Sequence, residues 1–303
     1  MSKTKSAFRC GQAALVGRPN VGKSTLLNHL LGQKISITSR KPQTTRHQIL
    51  GIKTTDQAQI VYVDTPGLHR QEKRAMNRFM NRAASSAIEG VNVVVFLIEA
   101  MKWTDEDQMV LKRLADNKTN VILAINKVDR IDDKDSLLPF LQKIAALHEF
   151  KHVVPLSALK EDNLEALESL IVEMLDESEP WYPQDQVTDR SIRFLTAEII
   201  REKLMRGLGQ ELPYDLTVEI EQFREEQNKV HINALIWVER VNQKSIVIGK
   251  GGERLKAIGQ QSRKHIENML QRKVFLEIWV KVKEGWSDDE RALQSLGYHD
   301  EFK

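Results

Sequence analysis

Apolar runs of strand length alternate with helix-like stretches through the first 175 residues, and this alternation limits the folds open to the chain. The helix-like stretches, such as DEDQMVLKRLADN, are amphipathic. A continuous apolar strand is buried on both faces, and a parallel sheet covered by helices provides that environment. The pattern therefore predicts an α/β domain with a mostly parallel sheet and helices on both faces. The apolar runs lie in AALVG, QIVYVDTPG, VNVVVFLIEA, NVILAINKVD and HVVPLSAL.

The pattern changes at EPWYPQDQ, where two prolines and polar residues predict a linker over residues 179–188. Beyond it the sequence predicts a helix near 189–208, two alternating strands, two helices and a final strand. This α-β-β-α-α-β order is that of a separate α+β module. We therefore predict a first domain over residues 8–178 and a second over residues 189–303, which includes a C-terminal tail.

The loop GRPNVGKST stands between the first apolar strand and the first helix. It fits the pattern G-x-x-x-x-G-K-[ST], in which backbone N–H groups wrap a β-phosphate and the helix N-terminus faces the phosphates. We expect Lys23 to reach the β and γ oxygens and the Ser24 hydroxyl to bind Mg²⁺. All nine residues are candidate nucleotide contacts: Gly17, Arg18, Pro19, Asn20, Val21, Gly22, Lys23, Ser24 and Thr25.

The motif DTPG follows the next apolar strand, at the strand end where α/β sheets bind ligands. Asp64 can hold Mg²⁺ through water, and the Gly67 N–H can meet a γ-phosphate. The candidate contacts here are Asp64, Thr65, Pro66, Gly67 and Leu68. With the first loop, this motif predicts a nucleoside triphosphate bound with Mg²⁺.

The motifs NKVD and SAL end two later strands and indicate which base is bound. The Asp129 carboxylate is suited to accept from the two N–H groups on the Watson–Crick edge of guanine, which adenine cannot supply. Asn126 can bond at the other edge of the base, and the Lys127 stem can cover its face. The Ala158 N–H can donate to the guanine O6. The sequence therefore predicts GTP and GDP as ligands, with Ser157 and Leu159 as further contacts.

The residues of the hydrolysis step are less directly indicated. KPQTTRH offers Thr44 and Thr45, of which we expect Thr45 to complete the Mg²⁺ shell when a γ-phosphate is present. Leu68 stands where many small GTPases have a glutamine that orients water, so hydrolysis is slow or relies on another group. We hypothesise that Asn20 helps to hold K⁺, whose charge would act as an arginine finger. The predicted catalytic residues are Lys23, Thr45 and Asn20, and the predicted metal ligands are Ser24, Thr45 and Asp64.

A second glycine loop, IVIGKGGERLKAIG, lies between an apolar run and a helix-like run. It lacks the first glycine and the Lys–Ser/Thr pair of a second phosphate loop at the required spacing. GKGG instead fits the G-x-x-G loop of a KH module, which clamps about four single-stranded nucleotides. The α-β-β-α-α-β order is the type II arrangement. The predicted RNA contacts are Ile248, Gly249, Lys250, Gly251, Gly252, Arg254 and Lys256.

Charge supports this interpretation. Residues 240–283 carry 11 Lys and Arg against three Asp and Glu, whereas the net charge of the whole chain is only +3. A basic stretch on an otherwise acidic chain favours a polyanion, although a solvated basic face gives the same composition. Anionic lipid would be attracted as well as RNA. The apolar side of the groove would come from Ile246, Ile248, Leu255 and Ile258, some of which must be core.

Composition sets further limits on this chain of 303 residues. Its one cysteine, Cys10, cannot form an internal disulfide, so nothing requires an oxidising compartment. No apolar run approaches the roughly 20 residues that span a bilayer, and the first residues lack a signal-peptide pattern. We therefore expect a cytoplasmic protein, with peripheral association with the inner membrane as an open possibility. Separately, we expect it to be a monomer.

These motifs closely resemble the TrmE/Era-type GTPases that carry a C-terminal type II KH module. The resemblance spans nearly the whole chain through GRPNVGKSTLLN, ISITS, QTTRH, YVDTPGLH, NKVD, FLTAEIIREKLM, ELPY, VIGKGG and EIWVKVKEGWSDDERALQSLGY. It implies a GTPase that binds the 3′ end of 16S rRNA and helps to mature the 30S subunit. It also implies weak intrinsic turnover that RNA stimulates, and peripheral contact with the inner membrane.

Two other interpretations remain open for the function. One is an RNA-binding GTP switch with negligible hydrolysis, which Leu68 would favour. The other is a membrane-surface GTPase that places its basic end on lipid. A related double-GTPase assembly factor is disfavoured because the chain contains one set of GTP motifs.

The segment WSDDERALQSLGY is explained by neither glycine loop. We predict a short helix docked on the second module, for packing or for the contact between domains. The large aromatic residues are predicted to be core or linker contacts rather than base-stacking platforms. They are Trp181, Tyr182, Trp237, Trp279 and Trp286.

Overall fold

The computed structural model describes residues 7–39, 41–67, 74–117, 119–209, 215–296 and 298, without the side chain of Lys134. Its larger sheet has the strand order β2-β3-β1-β4-β5-β6, and β7 pairs with β1. The pairs β3–β1, β1–β4, β4–β5 and β5–β6 are parallel. The strands β2 and β7 are antiparallel to their neighbours β3 and β1. The strands are β1 Arg9–Val16, β2 Ile49–Thr54, β3 Ala58–Asp64, β4 Val93–Glu99, β5 Asn120–Asn126, β6 His152–Pro155 and β7 Asp176–Glu177.

Helices cover both faces of this sheet, as the apolar runs predict. The helices are α1 Lys23–Leu31, α2 Ala75–Ser86, α3 Asp105–Ala115, α4 Leu137–Ala145 and α5 Leu164–Glu173. One core joins the strands to α1 and α5, and a second joins them to α3, α4 and the end of α2. Burying apolar side chains on both faces is the main stabilising term of such a sheet. The predicted α/β fold is confirmed.

The predicted linker lies against the sheet instead of running free. The backbone N–H groups of Trp181 and Tyr182 donate to Gln59 Oε1 of β3, over 2.7 and 2.9 Å. Further on, the Ile52 N–H of β2 donates to the Val187 carbonyl over 2.7 Å. The sequence pattern did not predict β2, and the linker covers part of this strand's edge.

The second sheet has three strands in the order β10-β9-β8, with β9 and β10 parallel and β8 and β9 antiparallel. Its elements are α6 Ile192–Gly207, β8 Leu216–Glu225, β9 Lys229–Val238, α7 Val241–Ile248, α8 Glu253–Leu270 and β10 Lys273–Val282. The three helices and the sheet share one apolar core. The order α-β-β-α-α-β confirms the predicted type II KH module, and the loop GKGG joins α7 to α8.

The last helix, α9 Glu290–Ser295, extends one prediction. Its segment bonds to its own module, where the Tyr298 hydroxyl lies 3.0 Å from Thr217 Oγ1. Its apolar side chains, Trp286, Leu293 and Tyr298, pack with Met76 and Phe79 of α2. The segment is therefore a contact between the two parts of the chain, the second of the two roles expected for it. A pattern of apolar positions shows that a helix needs a partner but not which partner it has.

The aromatic residues divide between core and surface. Trp286 is fully buried, as predicted, whereas Trp279 and Trp181 are 60% and 50% exposed. The prediction that these two residues are packed contacts is therefore wrong for their side chains. Within the described part of the chain, every helix is too short or too polar to cross a membrane.

Candidate functional site

A cleft of about 1000 Å³ opens where several strands of the larger sheet end. Its walls come from the loop 17–25, from Gly67 and from the NKVD and SAL turns, so four separately predicted motifs meet in one place. A further wall is formed by residues 34–47, the Thr45 loop, of which all but Arg40 are described. Met205 and Arg206 of α6 also line the cleft, and no sequence signal indicated this.

Glycine is required at both fixed positions of the first loop. Gly22 has φ 111°, in the left-handed region, and a Cβ there would lie 2.3 Å from Asn126 Nδ2. A Cβ on Gly17 would lie 2.4 Å from the Leu97 carbonyl oxygen. The loop can therefore follow its tight path only without side chains at these positions.

Lys23 begins α1 and is only 6% exposed. Its ammonium donates to the carbonyls of Gly17 and Arg18 over 2.8 and 3.2 Å, so the loop wraps around it. Burial lowers the pKa of Lys23 to about 8, partly opposed by the negative charge of Asp64 and reinforced by the positive charge of Arg18. A buried cation held by backbone carbonyls is prepared to meet an anionic ligand.

The three predicted metal ligands lie together beside Lys23. Ser24 Oγ is 2.8 Å from Thr45 Oγ1 and donates to Asp64 Oδ2 over 2.8 Å. Ser36 Oγ donates to the same carboxylate oxygen over 2.8 Å, a contact that sequence reasoning missed. Thr44 differs, since its hydroxyl donates to the Lys41 carbonyl. The predicted preference for Thr45 thus agrees with its position.

Asp64 is 0% exposed, and its Oδ1 has no hydrogen-bond partner among the described atoms. Burial raises its pKa, while the charge of Lys23 and the hydroxyls of Ser36 and Ser24 act in the opposite direction. A buried carboxylate oxygen without a donor is costly unless a cation or water satisfies it. Two hydroxyls and this carboxylate are hard oxygen donors, which fit a water-bearing Mg²⁺ ion.

Asn126 ties three loops together. Its Nδ2 donates to the Val21 carbonyl over 2.8 Å, and its Oδ1 accepts from the N–H groups of Lys127 and Ala158 over 2.8 and 2.9 Å. The expectation that the Ala158 N–H is available to a guanine O6 needs correction, because Asn126 already engages it. The side chain is 2% exposed, so it positions the loops in addition to any contact with a base.

Lys127 joins the NKVD turn to the first loop. It has φ 70°, and its ammonium donates to the Asn20 carbonyl and to Glu99 Oε2, both over 2.8 Å. Burial acts to raise the pKa of Glu99, but the bonds from Lys127 and Arg18 outweigh it and leave the pKa below its ordinary value. Glu99 ends β4 and had no sequence signal as a site residue.

Arg18 does not place its guanidinium toward the cleft. Its Nε donates to Asp107 Oδ2 over 3.1 Å, and its NH2 group donates to Glu99 over the same distance. Asp107 is also the acidic partner of the Thr104 capping box at the start of α3. Only the backbone of Arg18 remains for the predicted nucleotide contact, because the ion pairs with these two carboxylates hold its side chain elsewhere.

Asp129 is exposed at the cleft, and Ser157 orients it. The Ser157 hydroxyl donates to Asp129 Oδ1 over 2.6 Å and is itself fully buried. Ser157 thus supports the carboxylate instead of lining the cleft. The Asp129 carboxylate is thus an exposed acceptor oriented by a buried hydroxyl, which suits recognition of a pair of N–H donors.

The remaining predicted contacts differ in where they lie. Thr25, Pro19, Asn20 and Leu159 line the cleft, whereas Val21 and Pro66 are buried beside it. Thr65 donates to the Leu15 carbonyl over 2.8 Å, so its hydroxyl ties the DTPG turn to β1 instead of facing a ligand. Leu68 lies outside the described residues, as do the ELPY positions.

The second glycine loop is open where the first is closed. Gly251 and Gly252 have φ of 59° and 81°, and a Cβ on either would meet no atom within 4 Å. Gly249 differs, since a Cβ there would lie 2.7 Å from Arg254 Cβ. The loop leads directly into α8, whose 18 residues begin at Glu253, so the positive end of a long helix faces the loop.

The side chains around this loop combine charge with apolar surface. Lys250, Arg254 and Lys256 are exposed. Among the four apolar candidates, Ile258 belongs to the core and Ile246 is exposed, while Ile248 and Leu255 are partly buried. Exposed cations beside a backbone that allows close approach can hold a phosphodiester chain.

Comparisons with known proteins identify the family of the two parts of the chain. The model of the family described as 50S ribosome-binding GTPase matches residues 12–127, and the KH domain model matches residues 211–287. The GTPase Era of Ectopseudomonas mendocina is 60% identical over 292 residues, which cover 96% of this chain and 98% of that protein. The chain belongs to the Era family of GTPases. The GTPase Era of Azotobacter vinelandii is 57% identical over 296 residues, covering 98% and 99%.

Two solved Era structures match the whole fold. A point variant of Aquifex aeolicus Era bound to GDP·AlF₄⁻ is 39% identical, has a TM-score of 0.93, and covers 96% of this chain and 99% of that chain. An Era in complex with MgGDPNP and nucleotides 1506–1542 of 16S ribosomal RNA gives the same values. As a member of the Era family, this chain is a GTPase with a C-terminal KH domain.

Proposed function

We propose that this Era-family GTPase is a switch that binds the 3′ end of 16S rRNA through its KH module and assists assembly of the 30S subunit. The observation that carries the proposal is that one chain holds two glycine loops suited to different phosphates. One is a closed loop around the buried Lys23, and the other is an open loop flanked by exposed cations. Support also comes from the related Era whose complex contains nucleotides 1506–1542 of 16S ribosomal RNA.

In the GTP site, the chain's residues would divide the work as follows. The first loop and Lys23 hold the phosphates, and Asp129, supported by Ser157, selects guanine. Ser24, Thr45 and Asp64 would hold Mg²⁺, which supplies a positive charge against the phosphate oxygens during hydrolysis. Thr45 lies on a loop, so its position can depend on whether a γ-phosphate is present.

In the RNA site, Gly249, Gly251 and Gly252 let the backbone approach a single strand, and Lys250, Arg254 and Lys256 supply charge. We propose residues 8–178 and 189–303 as the two domains, joined by the linker 179–188. We also propose that the protein works in the cytoplasm, where the small subunit is assembled.

Two measurements on the full chain test the proposal. The first is multiple-turnover release of phosphate from GTP, with and without an oligonucleotide of the 16S 3′ end. The second is the anisotropy of that labelled oligonucleotide with the protein loaded with GDP or with GDPNP. We expect slow turnover that the RNA accelerates, and RNA affinity that depends on the nucleotide.

The outcomes separate the alternatives. Single-turnover hydrolysis only, with RNA still bound, would indicate a switch with negligible hydrolysis. Displacement of RNA by vesicles of anionic lipid, at concentrations where neutral vesicles have no effect, would indicate a membrane-surface GTPase. RNA affinity equal in the GDP and GDPNP states would contradict the proposed switch.

The contribution of K⁺ has its own test. Asn20 has φ 64° in the first loop and lines the cleft, a position compatible with a monovalent cation near the phosphates. We expect faster hydrolysis in K⁺ than in Na⁺ buffer, and we expect Asn20→Ala to abolish the difference. An unchanged difference in that variant would remove Asn20 from the proposal.

A further inference from the structure

The Thr45 loop is held from two sides. On one side, Thr45 Oγ1 lies 2.8 Å from Ser24 Oγ in the GTP site. On the other side, its neighbours bond to α6, the first helix of the KH module. The Thr44 carbonyl accepts from Arg201, whose guanidinium is fixed by Glu198 over 2.6 and 2.7 Å. The backbone of the residue next to Thr45 is therefore attached to the RNA-binding module.

Glu202 is the centre of these contacts. It is 0% exposed, and its carboxylate accepts from Lys34 Nζ over 2.6 and 2.7 Å. It also accepts from the Thr38 N–H over 3.1 Å and from Arg206 over 2.9 Å. Lys34 and Thr38, both in the Thr45 loop, thus share the buried carboxylate of Glu202. A buried charge with several donors fixes geometry because any displacement leaves some partner unsatisfied.

The C-terminal end of α6 is capped by the same loop. Lys41 Nζ donates to the carbonyls of Met205, Leu208 and Gly209. These carbonyls belong to the last turn of the helix and beyond, where oxygens lack partners within the helix and carry the negative end of its dipole. The lysine therefore satisfies the helix end, and the helix end holds Lys41 in the wall of the GTP cleft.

Arg206 completes the attachment. Its guanidinium donates to the Thr38 carbonyl over 2.9 Å and to the Thr38 hydroxyl over 3.0 Å. Arg206 and Met205 themselves line the GTP cleft. The described part of the cleft is consequently built from both domains, and α6 contributes side chains as well as support.

We propose that Glu202 is a positioning residue for GTP hydrolysis: by fixing Lys34 and Thr38 on α6, it holds the Thr45 loop where Thr45 meets Ser24 and Asp64. The inference rests on the proposed role of Thr45 as a ligand of Mg²⁺. Glu202 acts through the loop and touches no reacting atom. The KH module is then part of the catalytic site of the GTPase domain, before any RNA is bound.

The test compares Glu202→Gln with Glu277→Gln in the full chain. Both variants remove one negative charge from the KH module, but Glu277 is exposed on β10. Steady-state hydrolysis is measured against GTP and against Mg²⁺, and GDP affinity is measured with a fluorescent GDP. We expect Glu202→Gln to lower kcat on the order of tenfold and to raise the Mg²⁺ needed for half-maximal rate. GDP affinity should stay within about threefold, since the first loop and Asp129 hold GDP.

Lys34→Met provides a second route to the same loop and keeps Glu202 paired with Arg206. We expect Lys34→Met to lower kcat as well. Its effect should not add to that of Glu202→Gln, because both variants break the same contact between Lys34 and Glu202. This variant decides the question if Glu202→Gln does not fold.

Three results would overturn the inference. The first is a kcat of Glu202→Gln equal to that of Glu277→Gln. The second is a loss of GDP affinity in Glu202→Gln as large as its loss of kcat. The third is a double variant, Glu202→Gln with Lys34→Met, whose loss of kcat is the full sum of the two single losses in free energy. If one of these results is found while the unmodified protein hydrolyses GTP normally with Mg²⁺, the inference fails but the proposed function stands. Absence of that hydrolysis would instead count against the proposed function itself.

Discussion

The two glycine loops of this Era-family GTPase use the same residue types in opposite ways. In the first loop, glycines are required because neighbouring groups already fill the space where a Cβ would stand, and Lys23 is buried among carbonyls. In the second, Gly251 and Gly252 border open space, and Lys250 is exposed. Crowding around the first loop fixes its backbone at Gly17 and Gly22 and holds Lys23, whereas the open space around the second leaves room for a chain to pass.

This difference follows from the ligands. A terminal phosphate that is to be transferred must be held in one geometry, since catalysis depends on donors placed in advance. A phosphodiester strand is longer than the loop that holds it and is bound largely through charge and close backbone approach. The buried loop therefore suits chemistry, and the exposed loop suits recognition.

The largest expected effect comes from breaking the closed loop. Lys23→Ala removes the buried cation, and we expect kcat/KM for GTP to fall about a thousandfold, in the range seen when one preorganised charge is lost. Phosphate release measures the loss. RNA affinity of the nucleotide-free protein should change by less than about twofold, because no GKGG residue lines the cleft that contains Lys23.

A control is needed because Asp64 loses the positive charge of Lys23 in this variant. Thermal unfolding of Lys23→Ala, compared with the parent, separates loss of chemistry from loss of fold. If a folded Lys23→Ala variant still hydrolyses GTP, catalysis at the closed loop does not depend on Lys23. That result would contradict the contrast drawn between the two glycine loops.

The second expected effect comes from charging the open loop. The double variant Lys250→Asp with Gly251→Asp reverses one charge and adds another. No atom obstructs the new side chain at 251, but its φ of 59° strains any side chain there, so thermal unfolding of the variant is measured as a control. We expect RNA affinity to fall about a hundredfold through phosphate repulsion. Basal GTP hydrolysis without RNA should be unchanged, since neither residue lines the cleft. A small loss of RNA affinity would place the strand elsewhere on the module.

Sequence reasoning found the parts of the molecule in which local pattern decides the outcome. Apolar runs predicted β1, β3, β4, β5 and β6, because burial on both faces needs continuous apolar residues. The strand β2, ILGIKT, escaped prediction because a glycine and a lysine interrupt its apolar residues, and its position is specified by its pairing with β3. Likewise α9 reads as a helix, but its partner α2 lies about 200 residues earlier in the chain.

The candidate site divides in the same way. Motif spacing identified Lys23, Ser24 and Asp64 as candidates, and the structure places them next to one another. The supporting residues carry no motif: Ser36 reaches Asp64 from 28 residues away, and Glu202 meets Thr38 from 164 residues away. Such contacts depend on tertiary placement, so a pattern within one window cannot predict them.

The third expected effect is a dependence of GDP affinity on pH, which arises from the buried lysine of the first loop. The pKa of Lys23 is lowered to about 8, chiefly by burial. Bound phosphate favours the charged ammonium and so raises this pKa, which means that binding takes up a proton once the free lysine is neutral. GDP affinity should therefore be full below pH 8 and decline above it, by up to about tenfold per pH unit.

Fluorescent GDP, titrated between roughly pH 7 and pH 9, measures this decline. Lys23→Arg is the matched variant, because its guanidinium stays charged throughout the range. We expect its affinity to be lower overall but nearly independent of pH. The same slope in both proteins would assign the titration to another group.

The smallest expected effect sharpens the description of the open loop. Lys256→Ala removes one exposed cation from the first turns of α8, and Lys143→Ala removes an exposed cation from α4 as a control. If Lys256 neutralises one phosphate, the slope of log affinity for RNA against log salt should become shallower by about 0.7, the value for a single strand. Affinity itself should fall only a fewfold, equally for different RNA sequences, because a phosphate contact carries no sequence information. A loss that varies with sequence would instead show that Lys256 reads a base, and the open loop would then fix its ligand more closely than its geometry suggests.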